Sequence, residues 1–539
     1  EVSNGATFTN TDDLICSGNS YTILDNTSIG ADDIYMDHTD ALLCGEGLMN
    51  LGNGGADPTV QFFNGATTDQ ICDYFNITCS SNCGGFNSGP PTGNFLTGRI
   101  GPGGVGNRFS NELWLNADEL NLNDGDPVTT WPDASGNGTD ANANTPLTAA
   151  NQPTFTANSA NSVIPSIDFD GGDLLNLGSA DLDYIPQTDD WSFFVAFNVG
   201  VGNQGTFLSK AQSTGGTRQY QYTTDGPNRY TAFIGGNYNQ GTTLNATGSW
   251  SIGTSLVQAN ANGYDSWLNA SGEVTGGGVG TSTLPGTDVL IGARRVDAST
   301  STFGFPLTGE IGELIMYDLA INEARRIIIQ NYLAAKYDID ISVSGDDVYT
   351  MDDNAGEYDF EAVGIGQASD GTNHRDSEGD GILRVWRPSD LDNGEFLMLG
   401  HNGVDLTDIN QIDVDGVVLD ERLNREWGVS EFNGNDIGTV NLAFDLSDVI
   451  GSTALGSNLL LAIDRDGDGF ADLDVTPVSG AFIGNTIIFS DVNFKDGDII
   501  TIANTDLAFP LPLVNLNLNC YLMKNKVHIH WITDIEKNS

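Results

Sequence analysis

Leu459-Leu-Leu-Ala-Ile463 runs directly into Asp464-Arg-Asp466-Gly-Asp468-Gly469-Phe-Ala-Asp472, an apolar run followed by carboxylates at every second position. That spacing is the spacing of a calcium loop. A hard divalent cation takes about six to eight oxygens, and alternate residues of a tight turn can aim their carboxylates at one point. Gly469 supplies the bend, Phe470 would offer its backbone carbonyl, and Asp472 would ligate directly or through water. The last ligand of an EF-hand is missing, because Val475 stands where that loop carries a bidentate Glu. The apolar run before the loop reads as a buried strand and not as an entering helix. The stretch is therefore a calcium turn between β-strands, against the plainer alternative of an acidic hairpin tip. It has no catalytic partner close in sequence, so its expected role is to stabilise a scaffold.

The rest of the composition agrees with a strand-rich, secreted scaffold. The 539 residues leave room for about three or four domains. With 73 acidic residues against 20 Lys and Arg, the formal charge is −53, which argues against any nucleic-acid partner because phosphate contacts need a basic surface. No apolar run is long enough for a transmembrane segment, and no signal peptide is recognisable from Glu1 onward. Cys16, Cys44, Cys72, Cys79 and Cys83 fall within the first 83 residues without convincing zinc spacing, so a disulfide-containing module in an oxidising exterior is expected. Their pairing stays open, with Cys16–Cys44 and Cys72 with Cys79 or Cys83 as the expectation. The 67 glycines suit many short strands joined by tight turns.

Five segments follow. Residues 1–88 form the N-terminal β module, with Tyr21-Thr-Ile-Leu24 and Val60-Gln-Phe-Phe63 as strands, and residues 89–107 are a Gly/Pro linker. Residues 108–342 alternate strands such as Ser192-Phe-Phe-Val-Ala-Phe197, Arg218-Gln-Tyr-Gln-Tyr222 and Glu313-Leu-Ile-Met-Tyr317. One helix closes that segment. Asn322 is its N-cap, and Ile321, Ala324, Ile328, Tyr332 and Ala335 make one apolar stripe to pack on a sheet. Residues 346–505 contain the calcium turn. Residues 506–539 hold two apolar runs, Leu511 to Leu518 and Val527 to Ile532, expected either to open a further module or to pair with another chain.

Several stretches carry a resemblance. Trp114-Leu-Asn-Ala117, Trp131-Pro-Asp-Ala-Ser-Gly-Asn-Gly138, Pro165-Ser-Ile-Asp-Phe-Asp-Gly171, Gly309-Glu-Ile-Gly-Glu-Leu-Ile-Met-Tyr-Asp318 and Asn331-Tyr-Leu-Ala-Ala-Lys-Tyr337 resemble the concanavalin A-like, laminin-G-type jelly roll of secreted Bacteroidota proteins. Ala362-Val-Gly-Ile-Gly366, Gly394-Glu-Phe-Leu-Met-Leu-Gly-His401 and Arg425-Glu-Trp-Gly-Val429 resemble the β-sandwich module that often follows it. Pro510-Leu-Pro-Leu-Val514 and Lys526-Val-His-Ile-His-Trp-Ile-Thr533 look like the opening of the fibronectin-III-like module found before the sorting domain of type IX-secreted proteins. The implied fold is all-β: tandem β-sandwiches including a concanavalin A-like jelly roll, with one short helix closing the jelly roll. The implied location is extracellular or on the outer cell surface.

Other constellations have ordinary structural roles beside the chemical ones their spacing suggests. Glu357-Tyr-Asp359-Phe-Glu361 has the spacing that puts three carboxylates on one face of a strand, as in retaining glucanases. It lies after the closing helix, however, and not within the jelly roll, so no catalytic residue is expected. A second acidic turn, Asp376, Glu378 and Asp380, repeats the alternate-carboxylate spacing and is a possible second metal site; Asp133, Asp170 and Asp173 are another, weaker group. For a glycan ligand the candidates are Tyr220, Tyr222, Tyr230, Asn237 and Tyr238, aromatic faces flanked by an amide. Trp131, Trp191, Trp386 and Trp427 read as core, and His528 and His530 as a strand face. The expected protein is non-catalytic, serves adhesion or glycan and matrix contact, and is stabilised by calcium. The alternative is a structural subunit of a filament or sheath with a homopolymer partner; glycoside hydrolysis is the minor alternative.

Overall fold

Trp191–Val199 is apolar at nearly every position because both of its faces are covered. Trp191, Phe193, Val195 and Phe197 face one core, while Phe194 and Ala196 face another. Successive strand residues point to opposite sides, so an unbroken apolar run marks a strand buried on both faces. The computed structural model describes residues 100–505 with side chains, apart from short stretches within that range. The strands between residues 7 and 79 and between 516 and 533 are described by backbone alone.

Two antiparallel sheets of eight strands each form the first sandwich. In one sheet Trp191–Val199 lies between Thr308–Tyr317 and Trp250–Gln258. The other sheet ends at the edge strand Asn237–Gln240, next to Arg229–Ile234 and then Arg218–Asp225. Their facing sides bury Leu113, Trp131, Phe193, Phe197, Tyr222 and Met316 in one core. The second sandwich pairs a nine-stranded sheet, including Phe360–Gln367, Glu395–His401 and Leu459–Asp464, with a five-stranded sheet, including Leu383–Trp386 and Thr439–Asp445. Trp427, Val429, Phe444, Ile463 and Phe489 lie in its core. Trp131, Trp191, Trp386 and Trp427 are all buried.

The helix, Glu323–Tyr337, starts at Asn322, whose side chain accepts from Arg325 N, and stops at Asp338 in the left-handed region. The expected single apolar stripe is a correction: every residue from Ala324 to Tyr337 is buried, the cations Arg325, Arg326 and Lys336 included. One face of the helix covers Phe194, Ile315 and Tyr317 of the first sandwich, and the same core continues through Ala362, Phe396 and Met398 of the second. The helix is a shared core element and not a lid on one sheet. A second correction concerns the Gly/Pro linker at 89–107. Its described part is wedged: Gly101–Gly104 is buried, Gly101 N donates to Glu378 O at 3.2 Å, and Ser377 Oγ donates to Gly103 O at 3.0 Å. A Cβ on Gly104 would lie 1.7 Å from Ser377 Oγ, so only glycine fits.

Between residues 7 and 79 the ladders are parallel. Thr7–Thr9, Tyr21–Ala31, Leu42–Leu51 and Phe75–Cys79 stack in sequence order, and Leu14–Cys16, Ile34–Met36 and Val60–Phe62 form a second parallel set. Consecutive parallel strands separated by one strand of another sheet trace a coil, an arrangement that tight-turn composition did not announce. The side chains of Cys16, Cys44, Cys72, Cys79 and Cys83 lie outside the described residues, and so does their pairing. Leu516–Met523 and Lys526–Thr533 pair antiparallel, so the first strand of that hairpin lies further along the chain than the apolar run from Leu511 suggests. His528 and His530 fall on its second strand, their side chains outside the described residues.

Candidate cation turn and exposed aromatic edge

Leu459–Asp464 is a buried strand that ends on Asp464, itself only 3% exposed. Both carboxylate oxygens of Asp464 are committed to the turn, accepting from Gly467 N at 2.8 Å and Gly469 N at 3.0 Å. Gly467 and Gly469 sit at φ +80° and +99°, a region that L side chains avoid. Asp464, Asp466 and Asp468 each offer an oxygen within 4.8 Å of the others, the one such group of three or more among the described residues. Contact with the Asp472 carboxylate, and then with Asp466, pushes the Asp468 carboxyl up to about 6. Two residues invisible to the spacing complete the frame. Asp474 Oδ2 accepts from Arg465 N at 2.9 Å and Asp466 N at 3.1 Å, and Asp413, from a distant loop, accepts from Phe470 N at 3.0 Å. Phe470 itself is buried under the Arg422 guanidinium, 4.6 Å from the ring centre.

The second acidic stretch is not a turn. Asp376–Glu378 is a fully buried strand, and Arg384 donates to Asp376 through Nε at 2.9 Å and Nη2 at 2.8 Å. That fork consumes the charge a cation would need; Asp380 lies outside the described residues. Asp133, Asp170 and Asp173 do not converge either. Asp133 accepts from Trp114 N, Ser135 N, Ser135 Oγ and Thr139 N, and Asp173 accepts from Asp170 N at 2.8 Å. These are turn-closing carboxylates.

The three acids Glu357, Asp359 and Glu361 part company. Glu357 is exposed ahead of the strand Phe360–Gln367, and Asp359 is buried, accepting from Asn161 Nδ2 at 2.6 Å. Glu361 sits at φ +49° in a bulge, where the register shifts between Phe360 and Val363. The bulge breaks the two-residue period that would have aligned them. His401 Nε2 meets Glu361 Oε2 at 2.8 Å, and Gly403 N donates to His401 Nδ1 at 2.9 Å, which leaves the ring proton on Nε2. Burial holds His401 below the usual imidazole value; burial would raise Glu361, but His401 and Arg425 together hold it below the usual carboxylate range.

Of the proposed glycan contacts, Tyr220, Tyr222 and Tyr230 are corrections. All three are core: Tyr222 stacks on Phe193 at 4.0 Å and accepts from Trp191 Nε1, Tyr220 OH donates to Leu182 O, and Tyr230 OH meets Ser255 Oγ. Burial pushes their phenols well above the usual value. Alternation placed Tyr220 and Tyr222 on one face but could not say that the face points inward. Asn237 and Tyr238 are exposed on the edge strand Asn237–Gln240, Tyr238 at 50%. The Tyr238 ring leans on Phe233 at 5.0 Å, and the Arg218 guanidinium lies 4.1 Å over Phe233. Partial burial and a hydrogen bond to Asp225 push the Tyr238 phenol up to about 12.

Residues 386–498, which include the carboxylate turn at Asp464, match the family described as a domain of unknown function, DUF8202. No curated protein matches. Among solved structures, domain 4 of AbnA, an extracellular GH43 arabinanase from Geobacillus stearothermophilus in complex with arabinotriose, is 16% identical with a TM-score of 0.26, over 40% of this chain and 94% of that one. A SAP-like pentraxin from Limulus polyphemus is 14% identical, TM-score 0.24, over 32% and 84%. The CBM40 of a Ruminococcus gnavus sialidase, bound to sialyllactose, is 11% identical, TM-score 0.24, over 30% and 94%. Likenesses this distant carry no argument about function. No helix among the described residues is long and apolar enough to cross a membrane.

Proposed function

We propose that this chain is a non-catalytic, extracellular bacterial surface protein of the Bacteroidota type that contacts glycan or matrix material, with calcium stabilising its second sandwich. The observation that carries the reading is the exposed Asn237–Tyr238 edge, an aromatic face propped on Phe233 beside the exposed residue Asn237. Sugar C–H surfaces stack on such rings, and amides and carboxylates fix the hydroxyls. The calcium part rests on the mutual crowding of Asp466, Asp468 and Asp472, which a divalent cation relieves, with Phe470 O as a further oxygen. The non-catalytic part rests on the divergence of Glu357, Asp359 and Glu361. Binding of β-glucan, xylan, agarose and arabinan oligosaccharides to the purified protein tests the reading. Saturable binding lost in Tyr238→Ala supports it; no binding to any of them, or binding indifferent to that change, overturns the edge as the contact.

A second reading has its own observation. Leu516–Met523 and Lys526–Thr533 form a two-stranded sheet that pairs with no other strand among the described residues. Uncovered strand edges template pairing with another chain, which favours a filament or sheath subunit. Concentration-dependent assembly seen by negative-stain imaging, abolished by a proline at Ile529, would decide for it.

A further inference from the structure

The two sandwiches do not close completely on each other. A cleft of about 570 Å³ remains between them, lined by Asp118, Asn161, Ser162, Val163 and Ile164 from the first and by Phe360, Asn402 and Gly403 from the second. That volume lies within the roughly 300–1,000 Å³ of small-molecule sites, which favour domain interfaces. We infer that this junction cleft is a binding site for a short neutral oligosaccharide.

The walls are built and not merely left over. One wall is the tip of the hairpin joining Thr154–Ala160 to Ile164–Asp170. Asn161 and Ser162 there adopt φ +43° and +63° without being glycine, a conformation that persists where the surroundings enforce it. The enforcing contact is across the junction: Asn161 Nδ2 donates to the buried Asp359 Oδ2 at 2.6 Å, while Asn161 Oδ1 has no hydrogen-bond partner. On the opposite wall Asn402 is immobilised, its Nδ2 donating to Asn424 O at 3.1 Å and its Oδ1 accepting from Val404 N at 3.2 Å and Glu426 N at 3.3 Å. Gly403, at φ +71°, has no Cβ; one would come within 2.7 Å of Phe360 Cε2. The glycine keeps the Phe360 ring edge clear. Behind it the ring stacks on His401 at 5.7 Å and 21° between planes, and His401 is itself pinned by Glu361 and Gly403 N.

The lining chemistry selects the ligand class. It contains an aromatic ring, the aliphatic Val163 at 51% exposure and Ile164, one hydroxyl, two amides and one carboxylate, with no Lys or Arg. A polyhydroxylated ring offers C–H patches to the apolar part and hydroxyl donors to the Asp118 carboxylate. An anionic ligand would meet Asp118 with no cation in the lining and a chain charge of −53.

The proposal rests on the glycan reading above and adds a second sugar site to the Tyr238 edge, and the test separates the two. Titration calorimetry of the full chain would use laminaritriose, cellotriose, xylotriose and arabinotriose, with sialyllactose as the anionic comparison. The variants are Asp118→Ala, which removes an acceptor whose side chain is half exposed, Val163→Arg, which blocks the lip of the cleft, and Tyr238→Ala. The expected result is one binding event for at least one neutral trisaccharide that persists in Tyr238→Ala and is weakened tenfold or more by Asp118→Ala and by Val163→Arg, the latter at unchanged melting temperature, separate from the edge event that Tyr238→Ala removes. Binding lost only in Tyr238→Ala overturns the cleft and keeps the edge. Absence of binding to every trisaccharide, or a preference for sialyllactose, overturns the proposal.

Discussion

Lys336 Nζ donates to Glu313 Oε2 at 3.2 Å inside the molecule, with side-chain exposures of 5% and 0%. The lysine is on the helix and the glutamate on the central strand Thr308–Tyr317, so the pair ties the shared helix to the first sandwich. Trp114 Nε1 donates to Glu313 Oε1 at 2.6 Å, Tyr332 OH donates at 3.2 Å, and Lys336 Nζ also donates to Asn116 Oδ1 at 2.9 Å. A buried charge is tolerated when its partners are this complete.

Removing one charge should therefore cost much more than removing both. Glu313→Gln or Lys336→Met is expected to lower stability by about 3–5 kcal/mol, because the remaining charge loses its buried partner. The double variant should recover a large part of that loss. Urea unfolding of the three proteins measures it; additive single effects would contradict the pairing.

Calcium at about 100 times its dissociation constant should stabilise the protein by about 2.7 kcal/mol. The gain should vanish in Asp466→Asn and Asp468→Asn. The pH dependence has a definite sign. The Asp468 carboxyl is raised to about 6 by its acidic neighbours, so the metal-free folded state holds its proton longer than the unfolded chain does. Metal-free stability then falls as pH rises from the ordinary carboxylate value near 4 through about 6. Calcium takes over where the proton leaves, so its effect on melting should be larger at pH 7.5 than at pH 5. Equal gains at both pH values, or none after chelation, would sink the cation turn.

Asp376→Ala should behave differently. It strips the buried Arg384 of its fork, at a cost of about 3–5 kcal/mol, and leaves the calcium-induced shift in melting unchanged. Loss of that shift in Asp376→Ala would restore the strand as a metal site.

Glu357→Gln and Glu361→Gln separate catalysis from structure. Neither should change any release of reducing ends from laminarin, xylan or agarose, but Glu361→Gln should lower the melting temperature through its contact with His401, whereas exposed Glu357 should not. Hydrolysis present in the parent and lost in either variant would make the protein an enzyme.

The carboxylate turn was legible because Asp464, Asp466 and Asp468 lie within one short segment, where spacing alone brings their oxygens within 4.8 Å of one another. The same reasoning failed at Asp376 and Glu378, where an identical spacing lies on a buried strand beside Arg384. It failed again at Glu361, where one bulge shifts the face on which a side chain emerges. Asp413 and Asp474 went unread because their roles are hydrogen bonds to backbone of the turn, and Asp413 reaches it from another loop.

The sequence by itself determined the all-β class, the capped helix and the turn at Asp464, since each depends on residues within a few positions of one another. Tertiary structure alone decided which face of Arg218–Asp225 points inward, making Tyr220 and Tyr222 core and leaving Tyr238 outside. It also turned the helix from a lid into a shared core element, converted Gly101–Gly104 from spacer to wedge, and opened the cleft between Asn161 and Phe360. Each of these depends on what a second, distant segment brings to the other side. Periodicity assigns residues to faces, but only packing assigns a face its neighbour.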